Sequence, residues 1–426
     1  MFNEGLSLDQ APPISVPFRF FLTAPIFAIL IGALILTNDA SLIMNRYSDI
    51  AIALVHLFTL GVLSMIIVGS MQQMMPVLAG AVIKKPILFA NIVHGSLTLG
   101  TILFALYFIL HLKILLMLAT AFLAISFLTF FITAIKLLFK VKFLNSTVIA
   151  MRIFVVVGLI TILLGLHLAG AHIGGNISDK HYSFVNIHIL FGVFGFATLI
   201  IMGVAFQVIP MFYVALDFPK FVQNKVPFIV LFLLFSYIVF EFASFDMMII
   251  KLLFVVSISA FGYYGLHSLN NRKRPIFDVT LLYWKTSLYM LIISLLIWLF
   301  AKNDVSYLLA ITFGLGFLYS LLQGMTYKIL PFLCWFHLTS KGYFTVPTMR
   351  ELIVENMIRI QFYIYGASLL FFILAYFLSA IFLYIAAVIF IVSNILFVIN
   401  LILAVKKYNE IAKTDPMDMS SFQMPS

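Results

Sequence analysis

The chain has 426 residues, of which 64% are hydrophobic and 9% are charged. This composition excludes a soluble globular domain, which carries about 25% charged residues. The formal net charge of +10 fits loops that face anionic lipid, and no feature of the sequence indicates binding to nucleic acid. The single cysteine, Cys334, excludes an internal disulfide and a cysteine-based metal cluster.

Twelve stretches are long and apolar enough to cross a bilayer, because a spanning helix needs about 20 apolar residues. Only a predicted turn at Ser379 separates the last two. The sequence therefore predicts an all-α, polytopic protein with one integral membrane domain and a polar cytoplasmic tail over 406–426. The predicted spans are 17–37, 50–76, 88–110, 114–136, 147–171, 184–213, 226–245, 249–269, 279–300, 305–335, 359–378 and 382–404.

Lysine and arginine are concentrated in alternate loops, such as Lys84 and Lys85 after span two and Arg272 to Arg274 after span eight. The opposite loops carry few cations, among them Arg46 and Lys180. Cytoplasmic loops hold the excess of lysine and arginine, so both termini are predicted to lie in the cytoplasm of a bacterial-type inner membrane. The first residues lack a positive leader and a cleavage site, so no signal peptide is expected.

One pattern occurs three times in the chain: a glycine, a second glycine eight positions later, and a proline seven positions after that. The copies suggest three repeats of a four-helix unit, over about 17–140, 145–270 and 279–405, arranged as arcs about a pseudo-threefold axis. The two glycines and the proline lie near one face of a helix, where a neighbouring helix or a flat ligand can approach closely. The copies are Gly61, Gly69 and Pro76; Gly195, Gly203 and Pro210; and Gly316, Gly324 and Pro331.

Histidines are the main candidates for chemistry. His56, His167 and His188 are predicted to lie inside spans, where an ionisable side chain is costly and usually faces a partner in the bundle. His94 and His172 are further candidates in spans three and five. Neutral imidazole binds iron, copper and zinc, so we take these five as possible haem-binding residues, with His56, His188 and His167 as possible metal ligands.

Two other groups of residues remain open to more than one interpretation. Met71, Met74 and Met75 could bind copper through their thioethers, although methionine also fills apolar cores. Gln73 and Gln207 lie four residues after a repeat glycine, and Lys328 takes the same place in the third copy. These three positions are hypothesised to mark the mouths of three equivalent channels.

The twelve spans and the pattern His56, Gly61, Gly69 and Pro76 resemble the haem–copper oxidase subunit I superfamily, and within it the NnrS family of haem- and copper-associated membrane proteins linked to the nitric oxide response. The resemblance implies three four-helix arcs, His56 at a low-spin haem position and His188 at a copper position. It also implies further histidine ligands in spans seven and ten, and the sequence has none there. A complete oxygen-reducing centre is therefore not expected.

Three functions remain open from the sequence. The first is an inner-membrane protein that binds haem b, with His56 and either His188 or His167 as axial ligands, acting in electron transfer or nitric oxide and gas chemistry. Its redox partner would be another protein or a membrane quinone. The second is a transporter for copper or another small solute, and the third is an assembly subunit without a cofactor. Whether the protein is an enzyme stays open.

Overall fold

The computed structural model describes residues 10–175, 177–343 and 346–414, and all regular elements in these ranges are helices. Twelve helices are long and apolar enough to cross a membrane, which confirms the predicted number of spans. They are α1 Ser15–Leu36, α2 Asp49–Ala79, α3 Pro86–Leu110, α4 Lys113–Leu138, α5 Ser146–Gly174, α6 His181–Tyr213, α7 Lys220–Ala243, α8 Met248–Asn270, α9 Val279–Phe300, α10 Ser306–Ser340, α11 Glu355–Phe377 and α12 Ile381–Ile411.

The helix ends differ from the predicted spans by a few residues. The break between α11 and α12 includes Ser379, as predicted. Helix α12 continues to Ile411, so the first residues of the predicted tail are helical, while residues 415–426 lie outside the described ranges. Residues 1–9, the first part of the N-terminal stretch for which no signal peptide is expected, lie outside them too. Left-handed glycines end two of the spans, Gly80 after α2 and Gly175 after α5.

The repeat glycines bring helices together in one register. In each copy the first glycine packs against a side chain of the preceding odd-numbered helix, and the second packs against a residue seven positions earlier on that helix. A Cβ atom at any of these glycines would lie within 3.0 Å of its partner, so only glycine permits this approach. The pairs are Gly61–Phe27 and Gly69–Phe20, Gly195–Val157 and Gly203–Ala150, and Gly316–Met290 and Gly324–Tyr283.

Helix α2, helix α6 and helix α10 each contain a π-helical segment that includes the first repeat glycine: Leu57–Ser64, Phe191–Thr198 and Ala310–Tyr319. At the end of each, a hydroxyl donates a hydrogen bond to the carbonyl five residues earlier: Ser64 to Thr59 at 2.7 Å, Thr198 to Val193 at 2.8 Å and Ser320, the residue just after the third segment, to Leu315 at 3.4 Å. These hydroxyls stabilise the wider helix. Such segments are often found at functional sites.

Helix packing follows the same order in the three predicted units. Within them α1 packs on α2, α5 on α6 and α9 on α10, and between them α4 packs on α5, α8 on α9 and α12 on α1. Aromatic rings on the π-helical segments also join α2 to α10 and α6 to α10, through Phe58–Tyr319 and Phe194–Phe313. The arrangement about a threefold axis stays a prediction, which this repeated packing favours.

Candidate functional site

His56 of α2 and His188 of α6 lie beside each other, and we call them the histidine pair. Their ring centres are 6.4 Å apart and their ring planes differ by 9°. His56 is the last α-helical residue before the π-helical segment of α2, and His188 lies three residues before that of α6. Helices α2 and α6 therefore meet at the two imidazoles, next to their π-helical segments.

Each imidazole of the pair is held through Nδ1 by a backbone carbonyl. His56 Nδ1 lies 2.8 Å from the Ile52 carbonyl oxygen, and His188 Nδ1 lies 3.1 Å from that of Thr161. A carbonyl only accepts, so both Nδ1 atoms carry the proton and both Nε2 atoms keep a free lone pair. A histidine that binds a metal is commonly oriented in this way.

Room for the pair comes from small and flat neighbours. A Cβ atom at Gly165 would lie 3.1 Å from Cε1 of His188, so this glycine allows the imidazole to lie against α5. The Phe104 ring lies 4.6 Å from the His56 ring, centre to centre, and covers it from α3. Glycine and phenylalanine thus fix the two rings in partly buried positions.

The pair fits one kind of metal site better than others. Two imidazoles that bind one ion from opposite sides, with metal–nitrogen bonds of about 2.0–2.1 Å, have ring centres about 6 Å apart. Among the described residues, no three histidine, cysteine, aspartate or glutamate side chains come close enough to hold an ion. The donor set therefore suits a group that brings its own remaining ligands, as a porphyrin does, or an ion that accepts two.

The other candidate histidines lie apart from the pair. His167 is exposed and packs on Phe184, with ring centres 4.7 Å apart. The His172 ring packs on that of His181, the first residue of α6, with ring centres 5.6 Å apart. His94 Nε2 lies 2.9 Å from the Thr23 hydroxyl oxygen on α1, so its contact is with that helix. Among the five candidate histidines, His56 and His188 are the two whose rings contact each other in the described part of the chain.

The methionines and the equivalent glutamines have different surroundings. Met71 and Met75 are 1% and 0% exposed in the apolar core, which favours the packing interpretation. Gln73 is buried with no hydrogen-bond partner for its Oε1 among the described residues. Lys328 pairs with Asp278, the N-cap of α9, at 2.6 Å. At the position hypothesised to be the channel mouth of the third copy, the lysine is therefore held in an ion pair.

Arg46 joins the beginnings of α6 and α10. Its guanidinium donates to the Asn186 side-chain oxygen at 3.3 Å and to the Ser306 hydroxyl at 3.4 Å. The Asn186 amide donates in turn to Glu241 at 3.0 Å. Asn186 is two residues before His188, so this cluster lies at the end of the bundle nearest the histidine pair. We call it the Arg46 end, and the opposite end the Pro76 end.

Sequence reasoning missed the π-helical segments and the residues that hold the pair. A signal was present, since a serine or threonine follows the first repeat glycine by three or four residues in every copy, as Ser64, Thr198 and Ser320. Gly165 gave no such signal, because its partner His188 comes from another helix. His337, which lies just beyond the predicted span 305–335, is in the last turn of α10.

No protein-family model matches the chain, and no curated protein is similar to it. The resemblance to oxidase subunit I and to the NnrS family therefore stays a prediction that rests on the residues quoted above.

Proposed function

We propose that this protein binds haem b in a bacterial-type inner membrane and that His56 and His188 are its two axial ligands. The observation that carries the proposal is the geometry of the histidine pair: nearly parallel rings with centres 6.4 Å apart and both Nε2 lone pairs free. His188 is favoured over His167 as the second ligand, because His167 packs on Phe184.

The surrounding residues have defined roles in this proposal. The Ile52 and Thr161 carbonyls hold each imidazole in the tautomer that can bind iron. Phe104 restricts the access of water to His56. A bound haem with two histidine ligands would supply one-electron transfer, and binding of a gas such as nitric oxide would need one axial position to open.

The charges at the Arg46 end suit the acidic edge of a haem. Arg46 now contacts two neutral acceptors, Asn186 and Ser306. Lys180 lies over the Phe242 ring, with its Nζ 5.6 Å from the ring centre. Both cations would be partners for propionates, and a quinone or another protein would exchange electrons with the haem.

The absorption spectrum of the full-length protein tests the proposal. Protein purified in detergent from haem-replete cells should show a Soret band. His56→Ala and His188→Ala should each abolish or shift it, because a missing axial ligand leaves the iron open or the haem unbound. His267→Ala should leave the spectrum unchanged, because His267 is in the last turn of α8 at the Pro76 end. Absence of a Soret band, or equal loss in all three variants, would refute the assignment.

Copper is the second candidate for the pair, since two imidazoles can hold Cu(I) without a third protein ligand. This alternative agrees with a copper-transport function. Metal analysis of the same preparations separates the two: copper bound in about one equivalent, lost in His56→Ala and accompanied by no Soret band, would favour copper over haem.

A further inference from the structure

An open pocket lies at the Pro76 end of the second unit. It is formed by the first turn of α5, the last turns of α6 and the segment that follows α6, and its volume is about 410 Å³. Sites for small molecules commonly measure about 300–1,000 Å³. The described residues that line it include Asn145, Thr147, Gln207 and Asp217, with no lysine or arginine among them. We call it the α5–α6 pocket.

The pocket lies where the third unit has its ion pair. In both units the N-cap of the odd-numbered helix lies five residues before the residue that packs on the second repeat glycine. The positions of the two units can therefore be matched one by one. Three residues of the pocket, Asn145, Thr147 and Gln207, match Asp278, Thr280 and Lys328 in that order.

In the third unit this place holds an ammonium group of the chain itself. Lys328 Nζ lies 2.6 Å from one carboxylate oxygen of Asp278. The Thr280 hydroxyl donates to the other oxygen at 2.7 Å, and the centre of the Tyr213 ring is 5.1 Å from Nζ. A carboxylate and an aromatic face thus hold the cation.

The second unit lacks that lysine but keeps a carboxylate at the same place. Asn145 and Gln207 are both neutral, and Asn145 Oδ1 accepts from the Val148 backbone N–H at 2.8 Å. Asp217 brings its carboxylate into the pocket from the segment after α6. The ion pairs in the described part of the chain do not include Asp217. The pocket therefore has a negative charge to which no described side chain is paired.

Gln207 adds an acceptor that lacks a donor. Its Oε1 atom is buried and has no hydrogen-bond partner among the described residues. Buried polar atoms in proteins are normally paired, so this oxygen calls for a donor. The last side-chain torsion of glutamine is broad, which lets the amide turn towards a donor placed in the pocket.

A ligand that satisfies both groups carries a positive charge and donates hydrogen bonds. A calcium ion takes six to eight oxygen ligands, more than these side chains offer. A primary ammonium group has three N–H donors, and it is the group that Lys328 places at the matching position of the third unit. Both the head group of phosphatidylethanolamine and a soluble amine carry it.

We propose that the α5–α6 pocket binds a primary ammonium group, held by Asp217 and Gln207. The ligand takes the place that the Lys328 ammonium has in the third unit. The inference does not depend on a haem at the histidine pair, because Gln207 is 19 residues beyond His188 on α6, a rise of about 28 Å.

Native mass spectrometry of the full-length protein in detergent measures the binding of two lipids with identical acyl chains. Phosphatidylethanolamine should bind at least tenfold more tightly than phosphatidylcholine, because a trimethylated head group cannot donate a hydrogen bond to the carboxylate. Calorimetric titration with ethanolamine is the second arm. Binding of ethanolamine without a preference between the lipids would assign the site to a soluble amine.

Two variants should remove the preference or the ethanolamine binding. Asp217→Asn removes the charge of an exposed residue, so the protein should still fold. Asn145→Asp combined with Gln207→Lys reproduces the ion pair of the third unit, and the introduced ammonium takes the place of the ligand. Gel filtration checks that each variant is folded.

Asp246→Asn is the matched control. It removes the same charge at the Arg46 end, where Asp246 is exposed and accepts from the Met248 backbone N–H at 2.9 Å. This variant should bind as the wild type does. Equal binding of the two lipids together with no binding of ethanolamine would overturn the inference. Binding that stays unchanged in the folded Asp217→Asn protein would overturn it as well.

Discussion

The orientation of the histidine pair depends on single atoms of other residues. A carbonyl one turn back on its own helix holds His56, whereas His188 is held by a carbonyl of α5. Gly165, also on α5, leaves the space that the His188 ring occupies. At this scale the site is sensitive to the addition of one methyl group, because packed interiors have little room for extra volume.

Gly165→Ala should therefore disturb the pair. Its Cβ would lie 3.1 Å from Cε1 of His188, so the imidazole must shift, at a cost of about 1–3 kcal/mol. Thermal unfolding in detergent should show lower stability, and the absorption spectrum of any bound haem should change. Gly170→Ala is the matched control on the same helix, since no atom lies within 4 Å of its Cβ. Equal effects of the two variants would contradict this role for Gly165.

Among the helices, the π-helical segments distinguish α2, α6 and α10 from the other nine. Their extra width leaves carbonyls that a regular helix would pair, and hydroxyls of Ser64, Thr198 and Ser320 satisfy three of them. The tight helix packing at the first repeat glycines depends on these segments, because each segment contains one of those glycines. The position of His56 depends on them too, because His56 directly precedes the segment of α2.

Ser64→Ala should weaken the segment in α2. Loss of its hydrogen bond to Thr59 should lower the unfolding free energy by about 0.5–1.5 kcal/mol and perturb any spectrum that arises from His56. Ser257→Ala provides a control, because Ser257 is an exposed hydroxyl on α8 that bonds to the Leu253 carbonyl four residues back. Unfolding curves that are the same for both variants would argue against a special role for the hydroxyl of Ser64.

An ion pair joins Asp278, the N-cap of α9, to Lys328 of α10. Burial alone would raise the pKa of Asp278, but the Lys328 ammonium and hydrogen bonds from Thr280 outweigh it and hold this pKa below its usual value. A carboxyl with a lowered pKa stabilises the fold above its unfolded pKa, and this stabilisation is lost as the pH falls through the folded value. Acidification below about pH 4 should therefore destabilise the wild type more than Asp278→Asn.

A double variant tests the same pair at neutral pH. Asp278→Asn alone leaves the partly buried Lys328 without a counter-ion and should cost about 1–3 kcal/mol. Asp278→Asn with Lys328→Gln reproduces the combination that the second unit has at Asn145 and Gln207. Thermal unfolding should show that the double variant recovers part of the loss. A double variant less stable than the single one would show that the charge of Lys328 is needed elsewhere.

At the scale of the whole molecule, the twelve helices form a multi-pass bundle in which α12 packs on α1. The orientation of the bundle in the membrane is predicted only from the distribution of lysine and arginine between its two ends. The Pro76 end carries most of these cations, including Lys84, and should face the cytoplasm.

Introduced cysteines can test this orientation, because Cys334 is fully buried. In intact cells a membrane-impermeant maleimide should label Lys180→Cys, whereas Lys84→Cys should react only after the cells are permeabilised. The unmodified protein is the control and should stay unlabelled. Labelling of Lys84→Cys alone in intact cells would place the termini outside.

The set of histidines predicts that the protein does not reduce oxygen by the oxidase mechanism. That mechanism requires a haem facing a copper held by three imidazoles. The sequence has no histidine in α7, and the histidine of α10, His337, is in its last turn. An oxygen electrode should record negligible consumption by the purified protein with a chemical electron donor. Sustained consumption that His188→Ala removes would show that the protein has a complete oxygen-reducing centre with further ligands.

The sequence by itself was sufficient to predict an all-α membrane protein, its twelve spans and the break at Ser379. The apolar length needed to cross a bilayer is a local property of the chain. The sequence also marked His56 and His188 as costly groups inside spans. It could not predict that the His188 ring lies beside His56, because imidazoles on different helices meet only when those helices pack. For the same reason the contact of Gly165 with His188 and the Asp278–Lys328 pair became visible only in the tertiary structure. Each joins residues that are far apart in the chain, and the distance between them depends on helix packing rather than on their spacing in the chain.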